Sequence, residues 1–364
     1  MRNRRLLLPV LFGVLSLGMQ PVTAQDTIRQ YQFAPGDNGY ELELVTVPRP
    51  TAGPNQVLVR VHATSLNRRD LLMLNNQYGP GGSAAGGIPL SDGAGEVIAI
   101  GAGVTRFAVG DRVAGIFFAD WIDGKRDAAK LGSARGGGAT GMLAEVIVAD
   151  EDGLVEVPGH LTYEQAATLP CAGVTAWVAL FRQGDLQRDD YVLLEGTGGV
   201  SMFGLLFAAA ADARPIITSS SEEKLARARA LGAFGTANYR TNEDWQREVR
   251  ALTGDAGVDH VLEVGGRDTL PKAIEALAYD GHINLIGGLS GFAPSIPVGT
   301  LLNLGAVASG IYVGSRSDFE AMNAFIDEHK IVPVVDRVFS FDDAPEAFDF
   351  MDNGSYFGKI VISH

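Results

Sequence analysis

One heptapeptide constrains the fold of this chain more than any other segment. EGTGGVS, residues 195–201, follows the apolar segment 191–195 and opens a second apolar segment at 200–211. Glycine lets the backbone turn tightly there, and the first turn of the following helix can bind the phosphates of a nucleotide. On its own the motif is equally typical of an ordinary tight turn, so its setting has to decide.

Strand and helix patterns alternate around this turn. Ten-residue helices between apolar strands indicate βαβ units and a doubly wound parallel sheet, an α/β fold. In that setting the glycine turn predicts a dinucleotide site of the Rossmann type. We predict strands at 191–195, 215–219, 258–264 and 282–286, and helices at 200–211, 222–231, 242–252 and 269–279.

The rest of the chain has a different pattern. From residue 28 to about 171, short strand-like segments are interrupted by glycine and proline, with a glycine-rich loop at 132–141. Residues 56–63 alternate between apolar and polar, which predicts a half-buried strand. Other predicted strands are 95–100, 110–114, 335–341 and 359–362, and other predicted helices are 318–329 and 344–353.

We expect two domains. The 364 residues exceed what one core usually supports. The C-terminal tail is expected to return to the first lobe, so that residues 25–171 and 312–364 form a β-rich catalytic domain and residues 172–311 a Rossmann domain. The net charge of −14 argues against nucleic acid as a partner. A single cysteine excludes an internal disulfide and any cysteine-rich zinc site.

The first 24 residues match a secretory signal peptide. Three arginines within residues 2–5 precede an apolar run at 6–18, and Ala24 ends a small-residue cleavage motif. We expect export, with a periplasmic location, and the Arg4-Arg5 pair points to the twin-arginine route. An uncleaved anchor, a misplaced start codon and a cytoplasmic protein are the alternatives. No other membrane association is expected.

The end of the second Rossmann strand bears on the choice of cofactor. An acidic residue there would bind the ribose hydroxyls of NAD(H), whereas this strand ends in serines, and Lys224 follows. Hydroxyls and a cation suit the 2′-phosphate of NADP(H), for which Ser219 and Ser220 are candidates. Ser221 could instead cap the following helix. We favour NADP(H), with NAD(H) possible.

Together the motifs resemble one family. They resemble the zinc-free branch of the medium-chain dehydrogenase/reductase superfamily, near quinone oxidoreductases and alcohol dehydrogenase-like proteins. The resemblance implies a GroES-like catalytic domain, a Rossmann domain, a cleft between them and a homodimer. The motifs are VLVRVHATSLNRRDLL (57–72), PLSDGAGEV (89–97), GVTRFAVGDRV (103–113), ATLPCAGVTAW (167–177), GTGGVS (196–201), LGA (231–233) and FGKIVI (357–362).

The resemblance also implies that no zinc is held. Zinc-dependent members have a cysteine at the position of Asn67 and a histidine at that of Ser91, whereas their acidic residue and third ligand match Asp92 and Cys171. One thiolate and one carboxylate do not make a stable tetrahedral site. We interpret Cys171 as a small buried residue rather than a reactive thiol.

The family's cofactor contacts transfer to further positions. Arg68 matches a residue that reaches the pyrophosphate, although a solvated arginine is an equal alternative. Thr175 matches a residue beside the nicotinamide or is a helix-interior threonine, and Lys224 and Tyr239 match a pair at the 2′-phosphate. The remaining candidates are Gly196, Gly198, Gly199 and Val200 in the glycine turn, and Val264, Gly265, Gly287 and Leu289 near the ribose.

The predicted activity is reduction of a small molecule. Without a metal, a conjugated or activated carbonyl of the quinone, enone or aldehyde type is the acceptor that needs least stabilisation. Asn67, Ser91 and Thr175 are the candidate catalytic residues, whereas Asp70 and Asp92 are expected to hold loops by hydrogen bonds. A zinc-free alcohol dehydrogenase and a non-catalytic NADP(H)-binding protein are the alternatives.

Overall fold

The computed structural model describes residues 26–79, 82, 84–292, 296–354 and 356–364. The predicted signal peptide lies outside these ranges. Within them, no helix is both long enough and apolar enough to cross a membrane.

Fifteen strands occur in the described ranges. In chain order they are β1 (Thr27–Gly36), β2 (Gly39–Pro48), β3 (Gln56–Ser65), β4 (Asp92–Ile100), β5 (Arg112–Gly115), β6 (Val146–Asp150), β7 (Leu154–Glu156), β8 (Tyr191–Leu194), β9 (Arg214–Ser219), β10 (Gly235–Asn238), β11 (Val258–Glu263), β12 (Leu277–Leu285), β13 (Val307–Gly310), β14 (Val335–Ser340) and β15 (Lys359–Ser363).

Eleven α-helical segments occur in the same ranges. They are α1 (Arg68–Leu74), α2 (Ala128–Gly132), α3 (Tyr163–Ala166), α4 (Val174–Trp177), α5 (Gly199–Ala210), α6 (Glu222–Ala230), α7 (Trp245–Leu252), α8 (Leu270–Ala276), α9 (Val298–Leu304), α10 (Arg316–His329) and α11 (Ala344–Asp352). The π-helical segments Leu169–Gly173 and Val178–Gln183 flank α4 and make one helical stretch with it.

The first lobe is built on a seven-stranded sheet with the order β14-β15-β3-β4-β5-β7, in which β6 also pairs with β3. Strand β3 is more buried than its alternating sequence predicts. Leu58 on one face and Val59 on the other are both at most 4% exposed. The reason is tertiary, because Leu58 packs beneath Ile28 and Val146 instead of facing water.

The second lobe is a six-stranded parallel sheet with the order β10-β9-β8-β11-β12-β13. The apolar run of β8 is buried on both faces, and its residues 192–194 have no exposed surface. This is the burial that a continuous apolar strand inside a parallel sheet requires. The α/β fold, with a β-rich lobe and a Rossmann-like sheet, is therefore confirmed.

Several elements differ from the sequence prediction. The helix predicted over 269–279 ends at Ala276. Leu277 is extended, begins β12 and pairs with Val258 of β11. Strand β13, on the edge of the parallel sheet, follows a short helix, α9, and neither was predicted. Their sequence carries no clear periodicity.

The two lobes meet at the glycine turn. Gly358, just before β15 in the first lobe, donates its N–H to the carbonyl of Thr197 at 2.8 Å, and Gly358 forms a bridge to Gly198. A residue at the start of β15 is thereby placed beside the first turn of α5.

Candidate active site

The glycine turn between β8 and α5 is held by short polar contacts. Gly196 has a φ of +69°, a value that favours glycine. Its N–H donates to the Thr218 hydroxyl at 3.2 Å. Ser201, the last residue of the motif, donates its hydroxyl to the carbonyl of Glu195 at 2.7 Å and so closes the turn.

Gly204 lies where α5 packs on the sheet. A Cβ atom at this position would lie 2.7 Å from a methyl group of Leu194 and 2.9 Å from one of Leu262. Close approach of helix and strand therefore requires glycine at 204, one turn beyond the position occupied by Ser201.

The first turn of α5 is open for an anion. No side chain caps this 12-residue helix at Gly198. A Cβ atom built on Gly196 or on Gly198 would meet nothing within 4 Å. The turn thus presents unpaired backbone N–H groups and the positive end of a helix dipole to open space, which fits a dinucleotide pyrophosphate.

The loops after β11 and β12 lie together at the carboxyl end of the sheet. Leu289 donates its N–H to the carbonyl of Val264 at 3.2 Å, and Gly287 donates to the carbonyl of Glu263 at 3.2 Å. The structure therefore brings together four residues predicted to flank the cofactor ribose, namely Val264, Gly265, Gly287 and Leu289.

A buried carboxyl pair lies beneath these loops, and the sequence did not suggest it. Glu195 accepts the N–H groups of Val264 and Gly265 at 3.1 and 3.2 Å, and Glu263 accepts that of Gly266 at 2.9 Å. Burial, and next the adjacent Glu263, raise the pKa of Glu195 well above the usual range for a glutamate. Glu195 is therefore expected to keep its proton at pH values at which an exposed glutamate has lost it.

The end of β9 combines hydroxyls with a lysine. Ser221 caps α6, since its Oγ accepts the N–H of Lys224 at 3.4 Å. Ser219 is buried, and its Oγ accepts the N–H of Ser221 at 3.3 Å, whereas Ser220 is half-buried. Tyr239 follows β10 and donates its N–H to the carbonyl of Ser219 at 3.2 Å. These predicted residues therefore form one group.

Lys224 is held within that group by the first lobe. Its Nζ donates to the carbonyl of Tyr356 at 2.9 Å. Partial burial lowers the pKa of the ammonium below its usual value. A lysine held in this way, within one group of hydroxyl-bearing side chains, is suitably positioned for a phosphate ligand.

The two arginines at the start of α1 have different surroundings. Arg68 is about half exposed and lies 3.6 Å from Asp352, as a solvated arginine would. Arg69 is buried, with its guanidinium 5.0 Å from the ring centre of Tyr78 and 4.7 Å from that of Phe117. Tyr78 in turn shares a hydroxyl hydrogen bond of 2.7 Å with Tyr312.

Asn67 directly precedes α1 and lies next to a buried lysine, Lys359, that was not predicted as a site residue. Lys359 donates to the Asn67 Oδ1 at 2.7 Å and to the carbonyl of Leu66 at 2.6 Å. The signal for this lysine was present in the closing FGKIVI motif, but its partner is 292 residues away.

Asp92 lies on the other side of Lys359. One carboxylate oxygen accepts the hydroxyl of Ser91 at 2.7 Å, and the other lies 3.6 Å from the Lys359 Nζ. The second oxygen also accepts the hydroxyl of Ser65 and the N–H of Cys171, both at 3.4 Å. Asp92 therefore holds the surrounding loops together, as its sequence position led us to expect.

Asp70 has a similar structural position. Its carboxylate accepts the N–H of Asn67 at 2.7 Å and closes the first turn of α1. Burial raises the pKa of Asp70 to about 6.

Thr175 lies one turn beyond Cys171, in α4, and is 3% exposed.

The donor set around Asn67 does not suit zinc. An amide, a serine hydroxyl and an ammonium stand beside Asp92, and the ammonium repels a cation. Cys171 is the one thiol near this set, and burial raises its pKa. Across the described ranges, no three histidine, cysteine or acidic side chains group as a metal site.

Several large aromatic residues belong mainly to the hydrophobic core. Phe117, Phe118 and Trp121 are each at most 2% exposed, and Trp177 is half-buried against Phe181.

Comparison with known proteins covers nearly the whole chain. Residues 53–159 match the alcohol dehydrogenase GroES-like domain, and residues 199–328 match the zinc-binding dehydrogenase family. A zinc-type alcohol dehydrogenase-like protein of Schizosaccharomyces pombe is 42% identical over 315 residues, which are 85% of this chain and 91% of that protein.

Two further similarities bear on the activity. A quinone oxidoreductase of Pseudomonas aeruginosa is 31% identical over 306 residues, which are 82% of this chain and 86% of the relative. The crystal structure of a candidate alcohol dehydrogenase from Sinorhizobium meliloti 1021 is 42% identical. It covers 94% of this chain and all of its own, with a TM-score of 0.88.

Proposed function

This chain belongs to the medium-chain dehydrogenase/reductase superfamily of NAD(P)-dependent oxidoreductases, and we propose that it uses NADPH, without zinc, to reduce a conjugated or otherwise activated carbonyl. The observation that carries the proposal is the ammonium of Lys359, which lies 2.7 Å from Asn67 and 3.6 Å from Asp92. A fixed cation there disfavours a metal ion and supplies positive charge of its own.

The open glycine turn and the segments around it contain the residues that would hold the cofactor. Backbone N–H groups at the start of α5 would bind the pyrophosphate, and the loops that contain Val264 and Gly287 would flank the ribose near the nicotinamide. Ser219, Ser220, Lys224 and Tyr239 support NADP(H), because hydroxyls and a cation favour a 2′-phosphate. NAD(H) is the alternative at the same site.

NADPH, when bound, supplies a hydride and becomes NADP⁺, and the acceptor takes that hydride together with one proton from solvent. Negative charge develops on the acceptor oxygen during the transfer. A quinone or enone spreads that charge by conjugation, so a neutral N–H donor suffices to stabilise it. Asn67 supports this role because its Nδ2 is buried and has no hydrogen-bond partner within the described structure. The Ser91 hydroxyl hydrogen is already donated to Asp92.

The test is a steady-state assay on metal-free protein. NADPH and NADH are each combined with a quinone, an enone, an aldehyde and, in the oxidative direction with NADP⁺ or NAD⁺, an alcohol. We expect the highest kcat/KM with NADPH and a quinone or enone, unchanged by EDTA or by added zinc. Turnover only of simple alcohols with NAD⁺, or activity that requires zinc, would contradict the proposal.

The same assay separates the alternative activities. The 42% identical relative is named an alcohol dehydrogenase-like protein, which supports alcohol oxidation as the second candidate. Tight NADPH binding with no turnover of any acceptor would instead indicate a nucleotide-binding protein.

We also propose that the protein is a homodimer. Strand β13 is the outer strand of the parallel sheet, and three of its four residues are exposed. The neighbouring helix α9 has no buried residue, and its Val298 and Leu302 are 71% and 80% exposed. An unpaired edge beside an apolar helix favours pairing with a second copy. Light scattering after size exclusion should give twice the monomer mass, and Val298→Asp with Leu302→Asp should shift it to the monomer.

Export is a separate proposal, supported by residues 1–24 alone. Cell fractionation and mass spectrometry of the purified protein should find a periplasmic chain that starts at Gln25. Replacing Arg4 and Arg5 with lysine should block export if the twin-arginine route is used. An intact cytoplasmic chain would refute the proposal.

A further inference from the structure

Lys359 is a buried lysine whose hydrogen bonds are directed into the catalytic lobe. It is 3% exposed, and its Nζ donates to the Leu66 carbonyl at 2.6 Å and to the Asn67 Oδ1 at 2.7 Å. Asp92, 3.6 Å away, is too far for a normal hydrogen bond but balances the charge. Two of the three ammonium hydrogens therefore hold the backbone and the amide at the start of α1.

This contact decides which way the Asn67 amide faces. The oxygen and the nitrogen of a primary amide have nearly the same shape, so packing alone does not choose between them. An ammonium only donates, and its partner must therefore be the oxygen. The NH₂ group is consequently turned away from Lys359.

The amide nitrogen is left as an unused donor. Asn67 is 9% exposed, and its Nδ2 has no hydrogen-bond partner among the described residues. Buried donors are nearly always paired in folded proteins, so an unpaired one indicates a place for an absent acceptor. Asn67 lies beside Lys359, and the Lys359 side chain passes over Gly199, the first residue of α5.

We propose that Lys359 is a positioning residue that fixes the Asn67 amide so that its N–H donates to the acceptor oxygen during hydride transfer. The inference rests on the proposed function. The Lys359 ammonium, next to the Asn67 Oδ1, also polarises the amide and strengthens its N–H as a donor. Lys359 needs no contact with the substrate to act in this way.

A double-mutant cycle tests this role. Asn67→Ala, Lys359→Met and the double variant are compared with wild type for kcat, KM and the Kd of NADPH. We expect each single variant to lose about 100-fold in kcat, as for the loss of one oxyanion donor. The double variant should lose no more than Asn67→Ala alone, because the lysine acts through the amide. Lys359→Arg should recover part of the rate, and Lys125→Met is the exposed control.

Two readouts do not depend on turnover. NADPH Kd, measured by fluorescence, should change less than threefold in Lys359→Met. Urea unfolding of the four apo proteins should show coupling between the two positions. Asn67→Asp keeps the shape and the lysine contact but has no N–H, so it should fold and bind NADPH yet lose the rate.

The outcomes separate this inference from the proposed function. Wild-type turnover that Lys359→Met leaves unchanged, or losses that add in the double variant, would overturn the positioning role alone. A large rise in NADPH Kd with normal kcat at saturation would make Lys359 a phosphate ligand instead. NADPH binding without wild-type turnover of any acceptor would overturn the proposed function and the positioning role with it.

Discussion

Lys359 lies across Gly199: a Cβ atom at position 199 would be 2.7 Å from the lysine Cδ and 3.2 Å from the Cβ of Ala172. The glycine that opens α5 is therefore required by a contact within the protein itself. It leaves room for the side chain through which the second lobe and the catalytic lobe meet.

Gly199→Ala is therefore expected to disturb the apo protein. The added methyl must displace the buried lysine stem, which should cost about 1 to 3 kcal/mol of unfolding free energy. It should also lower kcat by moving the ammonium from Asn67. Urea unfolding and steady-state kinetics measure the two effects.

Gly198→Ala is the matched variant. Its φ is −79°, and an added Cβ would meet nothing within 4 Å, so the apo stability should change by less than about 0.5 kcal/mol. The methyl would point into the space for the pyrophosphate, and NADPH affinity should fall at least tenfold. Equal destabilisation by both substitutions would show that Lys359 is not what excludes a side chain at 199.

Glu195→Gln should change how stability depends on pH. Because the pKa of Glu195 is raised in the folded state, the folded protein binds more protons than the unfolded chain above about pH 4, the usual glutamate range. Wild-type stability is then lost as pH rises from there through the raised pKa. The amide cannot ionise, so the variant should avoid this loss.

Thermal unfolding at several pH values measures the difference. The stability of Glu195→Gln relative to wild type should increase as the pH rises above the usual glutamate range. Exposed Glu243→Gln serves as control and should give a constant difference. A variant curve parallel to the wild-type curve would mean that the pKa of Glu195 is not raised in the folded protein.

Substitutions near Ser219 should change the choice of cofactor. Lys224→Met removes the cation proposed to bind the 2′-phosphate, and we expect it to raise KM for NADPH by about tenfold while KM for NADH stays within twofold. Ser219→Asp should reverse the preference, since a carboxylate repels the phosphate and accepts ribose hydroxyls. Equal effects on both cofactors would place the 2′-phosphate elsewhere.

Arg68 and Arg69 are neighbours in the sequence, but only Arg69 is buried, so the same substitution should change stability differently at the two positions. Arg69→Lys loses a planar guanidinium beside Tyr78 and Phe117 and its hydrogen bond to the Arg135 carbonyl at 2.9 Å. We expect a loss of about 1 to 3 kcal/mol of unfolding free energy. Arg68 is half exposed beside Asp352, so Arg68→Lys should lower the free energy of unfolding by less than about 0.5 kcal/mol. Similar values for the two would contradict the buried role of Arg69.

The sequence by itself determined the types of element and the cofactor turn. The apolar run at 191–195 predicted a strand buried on both faces, and the glycines at 196, 198 and 199 predicted an open helix N-terminus. Both features arise from neighbours in the chain, because strand and helix periods and the freedom of glycine are local properties. The limits of α8 and the edge strand β13 escaped prediction, since pairing with distant strands sets them.

Only the tertiary structure decided which polar groups meet. Glu195 directly follows β8 and Glu263 ends β11, and each sequence position alone looks like the ordinary end of a strand. Lys359 and Asn67 are 292 residues apart, and their contact exists because β15 pairs with β3 while Gly358 bonds to the glycine turn. Such contacts depend on how segments distant in the chain pair within each lobe, which no local pattern encodes.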